Sequence, residues 1–564
     1  MSALLARLDR WLDAAARRPL LALALLVGVL TLPSLAARDV WANDEVRHAD
    51  ALRGVLSGEH AVVLHLGGMP YGDKPPMWFW IVAGVERATG LPVPSAFFLA
   101  SALGALAFAA VTWALARRLA GEDRRTSLVA ALLALGTPTT VLLAQTTRMD
   151  LVFAALIVAA QMALYAAWTR PAPNRWPLVA AVLATLGAGV KGPLALGLPV
   201  VSALAWLGWT GRLRRLLCRD VAVAVVWVLA VTAGYGLLVV RAEGEAFVRD
   251  LLTNQVWRRA AAAGGHALPF WFYAAVLPVV ALPWSIVLVG LPWSRLRSTL
   301  SEAYARRHVG AGPGAYLALS AVSGFLLLSA LSGKFFIYLA PIIPPLAVLG
   351  ARALRDMDPA ACARGFTSVG LSCLGLAVAV ACLPLVLPHL PLVGSWPIEV
   401  RGLLPLAGAL AATALAVLAV RKAPGLTVAA VTALGLVLSL AVAARFVAGS
   451  LDPVMSPRAS AEEIRSYADR GYVPLVFRTY PGVYAWHAGG PLPETNDVAA
   501  LERHVATPGP VVVAMPRKYW DRHQALLTSL HVVSERWIAG ETLHVVAVRD
   551  AVPPTPTGEP SPHR

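Results

Sequence analysis

Apolar residues fall in long runs separated by short polar segments along most of the chain. The lengths of these runs are close to the roughly 20 residues that an α-helix needs to cross a bilayer. The stretch from 177 to 210 is divided in two because Lys191-Gly192-Pro193 interrupts it. We predict thirteen membrane-spanning helices at 19–37, 94–115, 127–144, 150–168, 177–190, 193–210, 221–240, 270–291, 315–331, 336–351, 366–388, 403–420 and 425–444.

Composition and charge support a membrane protein of defined orientation. Hydrophobic residues make up 58% of the 564 residues and charged residues 14%, and the mean hydropathy is +0.65. With the N-terminus inside, 23 of the 48 Lys and Arg residues lie in inner segments, 14 in outer loops and 11 beyond Leu451. This bias predicts a cytoplasmic N-terminus and an extracytoplasmic C-terminal segment. The net charge of +16 is therefore topological, and we expect no nucleic-acid partner.

The predicted transmembrane domain, residues 1–450, carries two notable outer loops. The first, 38–93, is far longer than a simple connection, which is typical of functional loops. Within it, DEVRHADALRGVL has apolar residues at helical spacing and predicts an amphipathic interfacial helix on the membrane surface. The second outer loop, 241–268, mixes charge with glycine.

The C-terminal segment has a different pattern. Between 451 and 550, helix-like stretches alternate with short β-rich runs such as YVPLVF, GPVVVAM and HVVAVRD. This alternation predicts a small α/β domain outside the membrane. The Pro-rich tail, 551–564, is expected to be disordered.

Acids and cations collect at the outer ends of the predicted helices. Charges at the bilayer centre cost several kcal/mol, whereas a water-filled cavity at the interface can hold them. Six segments therefore indicate a polar site on the outer side, and they contribute Asp44 and Glu45; Asp73 and Lys74; Arg148 and Asp150; Lys191; Arg258, Arg259 and His266; Lys334 and Tyr338.

Several of these residues also have a simpler structural explanation. The alternatives are helix-dipole acids at Asp44 and Glu45, a snorkelling turn lysine at Lys191, an interface anchor at Lys334, an ordinary loop histidine at His266, a local ion pair of Arg148 with Asp150, and an aromatic belt at Trp78 and Trp80. The segment YGDKPP is the most specific, because Pro75 and Pro76 stiffen the backbone and predict an extended segment that fixes Asp73 and Lys74 above the membrane.

At these residues the chain resembles a known family. The first outer loop has the pattern DE-x-R-(Y/H)-A followed by an acid-Lys-Pro-Pro segment and aromatics, and TRMD, KGP, GGHALPFWFY and KFFIYLAPIIPP follow in order. This order resembles the bacterial aminoarabinose transferases and protein O-mannosyltransferases over roughly the first 350 residues. The resemblance implies a polytopic helical GT-C glycosyltransferase that moves a sugar from a polyprenyl phosphate to an acceptor outside the membrane, with inversion.

The resemblance also implies roles for the clustered residues. Asp44 is the predicted general base or acceptor-orienting group, with Glu45 and Asp150 supporting it. The predicted donor phosphate ligands are Lys74, Arg258, Arg259 and Tyr338, with Lys191 and Lys334 as further candidates. In the aminoarabinose transferases a divalent metal is associated with positions that match Asp73 and His266, although this chain has aspartate where glutamate is usual.

Two other classes remain open at this point. A transporter or flippase of lipid-linked sugars would also need many helices and an anionic headgroup site, but transporters place such groups near the midplane. A membrane scaffold leaves the polar cluster unexplained. The acceptor, whether lipid A, another envelope glycan, a lipid or a protein, is not specified by the sequence. The composition and the resemblance predict a bacterial inner membrane protein that faces the periplasm or cell exterior.

Overall fold

The computed structural model describes residues 2–251, 253, 268–288, 312–390, 396–397 and 399–550. Helices form a bundle, and a small sheet domain lies at one end of it. Eight helices are long and apolar enough to cross a membrane, or up to ten if each of two bent pairs counts as one span. The helical membrane fold with a small C-terminal sheet domain is therefore confirmed, while the count of thirteen stays a prediction.

All thirteen predicted runs contain helix. The α-helices that precede the sheet domain are α1 Ser2–Arg17, α2 Pro19–Thr31, α3 Asp44–Ser57, α4 Met77–Thr89, α5 Val93–Ala114, α6 Arg124–Leu135, α7 Pro138–Ala144, α8 Asp150–Thr169, α9 Trp176–Lys191, α10 Leu194–Trp209, α11 Arg219–Leu251, α12 Phe272–Val280, α13 Trp284–Leu288, α14 Pro313–Ala330, α15 Ile343–Arg355, α16 Pro359–Val386, α17 Leu403–Val420 and α18 Gly425–Phe446. A 3₁₀ segment, Phe336–Ile342, precedes α15.

One predicted span is bent rather than straight. The segment 127–144 is divided into α6 and α7, which meet at 72°. Gly136 and Thr137 separate them, and Thr137 caps α7 by accepting from the Thr140 N–H at 3.2 Å. Proline at the start of α7 cannot continue the hydrogen-bond ladder of α6. The bend changes the direction of the chain between α6 and α7.

The first outer loop folds into α3, a hairpin of β1 (Leu64–Leu66) with β2 (Met69–Tyr71), and α4. The expectation of an extended DKPP segment is wrong, because residues 72–74 form a turn and a bend after β2. Pro76 is the N-cap of α4, where a proline lacks no needed hydrogen bond. Lys74 lies in the bend that joins β2 to the prolines before α4.

Helix α3 is largely buried within the protein, and its position relative to the membrane surface stays a prediction. Its buried residues include Glu45, His48 and Asp50 as well as Val46 and Leu52. Both its polar and its apolar positions are covered because α4 and the C-terminal domain pack against it. Trp78 is likewise fully buried and donates to the Thr147 carbonyl at 3.1 Å, so the aromatic-belt explanation does not apply to it.

The predicted second outer loop begins later than expected. Helix α11 continues through residues 241–251, with non-helical backbone at Gly244, where φ is 83°. Ala, Glu and Arg in this stretch are good helix formers, which explains the extension. The remainder of the predicted loop is outside the described residues except for 253 and 268.

The C-terminal domain is a five-stranded mixed sheet with strand order β4-β3-β5-β7-β6. Strand β3 pairs in parallel with β4 and β5, whereas β7 pairs antiparallel with β5 and β6. The elements are α19 Asp452–Met455, α20 Arg458–Asp469, β3 Val473–Phe477, β4 Glu494–Thr495, α21 Val498–Ala506, β5 Val511–Pro516, α22 Arg517–Arg522, β6 His531–Ile538 and β7 Thr542–Arg549. The tail, 551–564, is outside the described residues.

The sheet domain is seated on the first outer loop by close backbone contact. Gly482 has φ 73°, and a Cβ there would lie 3.5 Å from the Gly67 nitrogen of the hairpin turn. Each glycine N–H finds a carboxylate, since Gly67 donates to Asp50 at 2.9 Å and Gly482 donates to Glu494 at 2.9 Å. Arg53 of α3 also donates to the Trp486 carbonyl at 2.9 Å. The sheet domain therefore forms part of the surroundings of α3.

Candidate active site

The N-terminus of α3 and the segment after α7 meet through an ion pair. Arg148 Nη2 lies 2.5 Å from Asp44 Oδ2, and Arg47 Nη1 lies 3.9 Å from Asp44 Oδ1. Burial alone would raise the pKa of Asp44, but the nearby cations Arg148, Lys74 and Arg47 lower it below its usual value. The carboxylate is 37% exposed, so it remains open to a reactant.

A second ion pair joins α8 to α9. Asp150 at the first position of α8 accepts a hydrogen bond from the Lys191 ammonium at the end of α9. The Tyr338 ring lies 4.6 Å from Lys191 Nζ, a cation–π distance. The local Arg148–Asp150 pair that the sequence allowed is therefore replaced by two pairs with distant partners.

Lys74 lies between these pairs. Burial lowers the pKa of Lys74, and Lys191 and Arg148 lower it further, while Asp44 and Asp150 oppose them. These interactions mean that Lys74 shares one electrostatic environment with both ion pairs. The structure thus brings together the predicted site residues Asp44, Lys74, Asp150, Lys191 and Tyr338.

Glu45 occupies the covered side of the same helix turn. Its carboxylate takes a bidentate pair from Arg38, at 2.5 and 2.8 Å, and also accepts from the N–H groups of Trp41 and Thr147. A buried carboxylate with this many partners orients the chain around it. The contacts of Glu45 hold the start of α3, where Asp44 precedes it, against Arg38, Trp41 and Thr147.

Thr147 makes hydrogen bonds to three residues around the site, and the sequence analysis gave it no role. Its hydroxyl lies 2.9 Å from His48 Nδ1, its N–H donates to Glu45 at 3.2 Å and its carbonyl accepts from Trp78 at 3.1 Å. Burial lowers the pKa of His48 to about 3, so its imidazole is neutral at physiological pH. Thr147 is the first residue of the TRMD motif, but only the fold shows that it contacts His48, Glu45 and Trp78.

The structure does not bring the remaining predicted phosphate ligands into the cluster among the residues it describes. Lys334 is buried, and its ammonium donates to the carbonyls of Leu331 and Leu268, the latter at 2.9 Å. These bonds fix the chain before the 3₁₀ segment, so the structure assigns Lys334 a structural contact. Arg258, Arg259 and His266 lie outside the described residues, and their roles stay predictions.

The metal prediction has only one described ligand. Asp73 lines a large cavity next to the site, and its partner His266 is outside the described part of the chain. Among the described residues, no three His, Cys, Asp or Glu side chains come together as a metal site. Two ligands do not define a metal centre, so no chemical step is assigned to one. Elemental analysis of the purified protein tests this prediction.

The cluster is suited to an anion. Its cations outnumber its carboxylates, because Arg148 and Lys191, which pair with Asp44 and Asp150, are joined by Lys74 and by Arg47, which also interacts with Glu494. A phosphate monoester carries close to two negative charges at neutral pH. The charge excess therefore matches a phosphate that gains charge during a reaction.

Comparison with known proteins identifies the family of the chain. Residues 73–235 match the family model described as dolichyl-phosphate-mannose-protein mannosyltransferase. The undecaprenyl phosphate-alpha-4-amino-4-deoxy-L-arabinose arabinosyl transferase of Pseudomonas paraeruginosa is 32% identical over 397 residues, which cover 69% of each chain. The enzyme of the same name from Pectobacterium carotovorum is 30% identical over 385 residues, or 65% of each chain.

The fold is also shared with a solved structure. The crystal structure of ArnT from Cupriavidus metallidurans bound to undecaprenyl phosphate superposes with a TM-score of 0.72 at 20% identity, and covers 93% of this chain and 97% of that one. This likeness shows a common fold across the helices and the sheet domain. The chain therefore belongs to the aminoarabinose transferase-like family of GT-C membrane glycosyltransferases.

Proposed function

We propose that the protein transfers a pentose of the aminoarabinose type from undecaprenyl phosphate to a hydroxyl of an envelope glycan or lipid. The observation that carries the proposal is the cluster of four cations around Asp44 and Asp150 at one end of the helix bundle. The names of the relatives supply the carrier and the sugar type. A transporter is not favoured, because these relatives are transferases.

The leaving group explains the cationic excess. In the donor the phosphate is a diester with one negative charge, and breaking the bond from the anomeric carbon to the phosphate oxygen leaves a monoester with close to two. Lys74, Arg148 and Lys191 then interact more strongly with the leaving phosphate than with the bound donor. Groups that stabilise the transition state more than the ground state accelerate the reaction.

Asp44 serves the other side of the sugar. The acceptor oxygen attacks the anomeric carbon as its proton passes to the Asp44 carboxylate, and the electrons of the broken bond go to the phosphate oxygen. Direct displacement of this kind inverts the configuration. The lowered pKa keeps Asp44 ionised, so it is ready to accept a hydrogen bond from the acceptor hydroxyl. Asp150 holds the Lys191 ammonium, and Glu45 orients the α3 N-terminus.

Reconstitution in liposomes tests the proposal. Wild-type protein is expected to release undecaprenyl phosphate from undecaprenyl phosphate-linked aminoarabinose when envelope glycolipids are present, and Lys74→Ala is expected to lose this activity. Asp469→Asn on the exposed face of α20 is the matched control. If the sugar stays on its lipid and crosses the bilayer, the protein is a transporter instead.

For this multi-pass inner-membrane protein we further propose an orientation with the N-terminus inside the cell and the site outside the membrane. Ion pairs of Arg125 with Asp9 and of Arg352 with Glu122 lie at the helix ends opposite the site, as expected for basic inner loops. A membrane-impermeant thiol reagent applied to cells tests it in a chain whose native cysteines are replaced. Arg465→Cys should be labelled and Arg118→Cys protected; the reverse pattern contradicts the proposal.

A further inference from the structure

The chain segment before α3 is bound to the start of the C-terminal domain. Asp452, the first residue of α19, accepts hydrogen bonds from Trp41 Nε1 at 2.7 Å and from the Asp39 N–H at 3.1 Å. The Ala42 N–H also donates to the Met455 carbonyl at 3.0 Å. Trp41 and Asp452 are 411 residues apart in the sequence, so only the fold brings these two segments together.

The C-terminal domain also binds the side chain of Asp39. This carboxylate is buried and accepts from the Ser456 hydroxyl at 2.7 Å and from Arg458 Nη2 at 3.0 Å. His487 Nε2 of the same domain lies 3.2 Å from it. A carboxylate with several donors is held in a defined geometry. The domain therefore fixes both backbone and side chains of the segment before α3.

Trp41 connects this attachment to Arg38. The Arg38 Cζ atom lies 4.1 Å from the centroid of the Trp41 ring and 4.5 Å from that of the Phe98 ring, both cation–π distances. The Arg38 side chain is only 6% exposed. A planar guanidinium that stacks on aromatic rings keeps one orientation, which the ammonium of a lysine would not reproduce. The position of the Trp41 ring therefore influences the orientation of the guanidinium.

Arg38 in turn contacts both chain segments that carry the Asp44–Arg148 ion pair. Its guanidinium forms the bidentate pair with Glu45, the residue after Asp44, at 2.5 and 2.8 Å. It also donates to the Gln145 carbonyl at 2.8 Å, and Gln145 lies three residues before Arg148. The donors of a guanidinium have a fixed planar geometry. Arg38 therefore holds the start of α3 in a fixed position relative to the segment that carries Arg148.

From these contacts we infer that Asp452 is a positioning residue for the transfer reaction, although it belongs to the start of the C-terminal domain. Asp452 fixes the Trp41 ring, and the ring orients the guanidinium of Arg38. That guanidinium sets the relative position of the two segments that form the Asp44–Arg148 ion pair. A displacement of about 1 Å in such groups can cost about 10²-fold in rate. The inference rests on the proposed transferase function.

Substitutions on both sides of the Trp41–Asp452 hydrogen bond test the inference. Asp452→Leu removes the accepting oxygens, whereas Asp452→Asn keeps one oxygen that can accept from Trp41 Nε1. Trp41→Phe removes the donor and keeps an aromatic ring beside Arg38. Trp227→Phe is the matched control, because the Trp227 indole is exposed on α11 and likewise donates one hydrogen bond, to Thr185 at 3.2 Å.

Each full-length variant is reconstituted in liposomes with undecaprenyl phosphate-linked aminoarabinose and envelope glycolipids. The kcat is expressed per protein that binds undecaprenyl phosphate, so that unfolded protein does not lower it. We expect Asp452→Leu and Trp41→Phe to lose about 10-fold in kcat or more, with the donor KM and the undecaprenyl phosphate affinity of the wild type. Asp452→Asn should retain most of the wild-type kcat, and Trp227→Phe should match wild type.

The double variant Trp41→Phe/Asp452→Leu tests whether the two residues act through one hydrogen bond. Its kcat should be close to that of the slower single variant, because both substitutions break the same contact.

Three results would overturn the inference while leaving the transferase function intact. They are wild-type kcat in both single variants, losses that multiply in the double variant, and loss of undecaprenyl phosphate binding in both single variants, which would show that the bond maintains the fold. Equal, low kcat values for Asp452→Asn and Asp452→Leu would also contradict it. No sugar release by wild-type protein would instead overturn the proposed function.

Discussion

Arg148 and Asp44 form an ion pair with 2.5 Å between Nη2 and Oδ2, although 103 residues lie between them in the sequence. The pair connects the start of α3 to the segment that follows the bent α6–α7 pair. It leaves the Asp44 carboxylate partly exposed and places a guanidinium beside it. One residue able to accept a proton and one able to stabilise negative charge are thereby fixed next to each other.

Replacing Asp44 with asparagine should abolish most of the transfer and leave donor binding intact. The amide keeps the size of the carboxylate but cannot take the proton of the acceptor, and a positioned base contributes roughly 10² to 10⁴ in rate. The measurement is single-turnover sugar release in liposomes, with undecaprenyl phosphate binding followed separately. Near-normal turnover by Asp44→Asn would rule out its role as the base.

The Asp150–Lys191 pair permits a test that separates stability from activity. Lys191→Met should destabilise the protein by roughly 3–5 kcal/mol, because it leaves Asp150 buried without its partner charge. The double variant Lys191→Met/Asp150→Asn should recover most of that loss in a thermal unfolding assay. It should nevertheless bind undecaprenyl phosphate more weakly than wild type, since one phosphate-facing cation is missing. Wild-type affinity in the double variant would show that Lys191 is only structural.

Thr147→Val should reduce kcat more than it changes the KM for the donor. Valine keeps the shape of threonine but removes the hydroxyl that meets His48 Nδ1, and leaving a buried polar group without a partner costs about 1–3 kcal/mol. The segment that carries Arg148 would then be held less firmly against α3. Thr147→Ser, which retains the hydroxyl, should restore kcat. Equal kcat values for the serine and valine variants would contradict this positioning role.

Glu494 should make the stability of the protein depend on pH. Burial raises the pKa of Glu494 to about 7, against an ordinary value of 4.5, and the nearby Asp50 contributes. The folded state therefore binds more protons than the unfolded state between about pH 4.5 and 7, so this group's contribution to stability falls as the pH rises through that window. Glu494→Gln removes the titration. Melting temperatures of the wild type and the variant are measured in detergent at each pH. The wild-type value minus the variant value should decrease from pH 5 to pH 7. A constant difference across this range would contradict the shifted pKa.

The local pattern of the sequence determined the helices and the chemistry at their ends. Apolar runs of membrane-spanning length became helix because hydropathy and periodicity act within a segment. The motifs DE-x-R, DKPP, TRMD and KGP supplied Asp44, Lys74, Asp150 and Lys191. The β-rich runs after residue 471 became β3, β5 and β7 of the sheet domain.

The tertiary structure decided which charges face one another. Arg148 turns from its near neighbour Asp150 to Asp44, Asp150 pairs with Lys191, and the Lys334 ammonium meets backbone carbonyls. The amphipathic pattern of α3 likewise did not predict that the sheet domain would cover this helix. A sequence shows which side chains are polar and at which helix end they lie, but the pairing of buried charges depends on how separate helices pack and bend. Only that packing brings groups that are distant in the chain to within hydrogen-bonding distance.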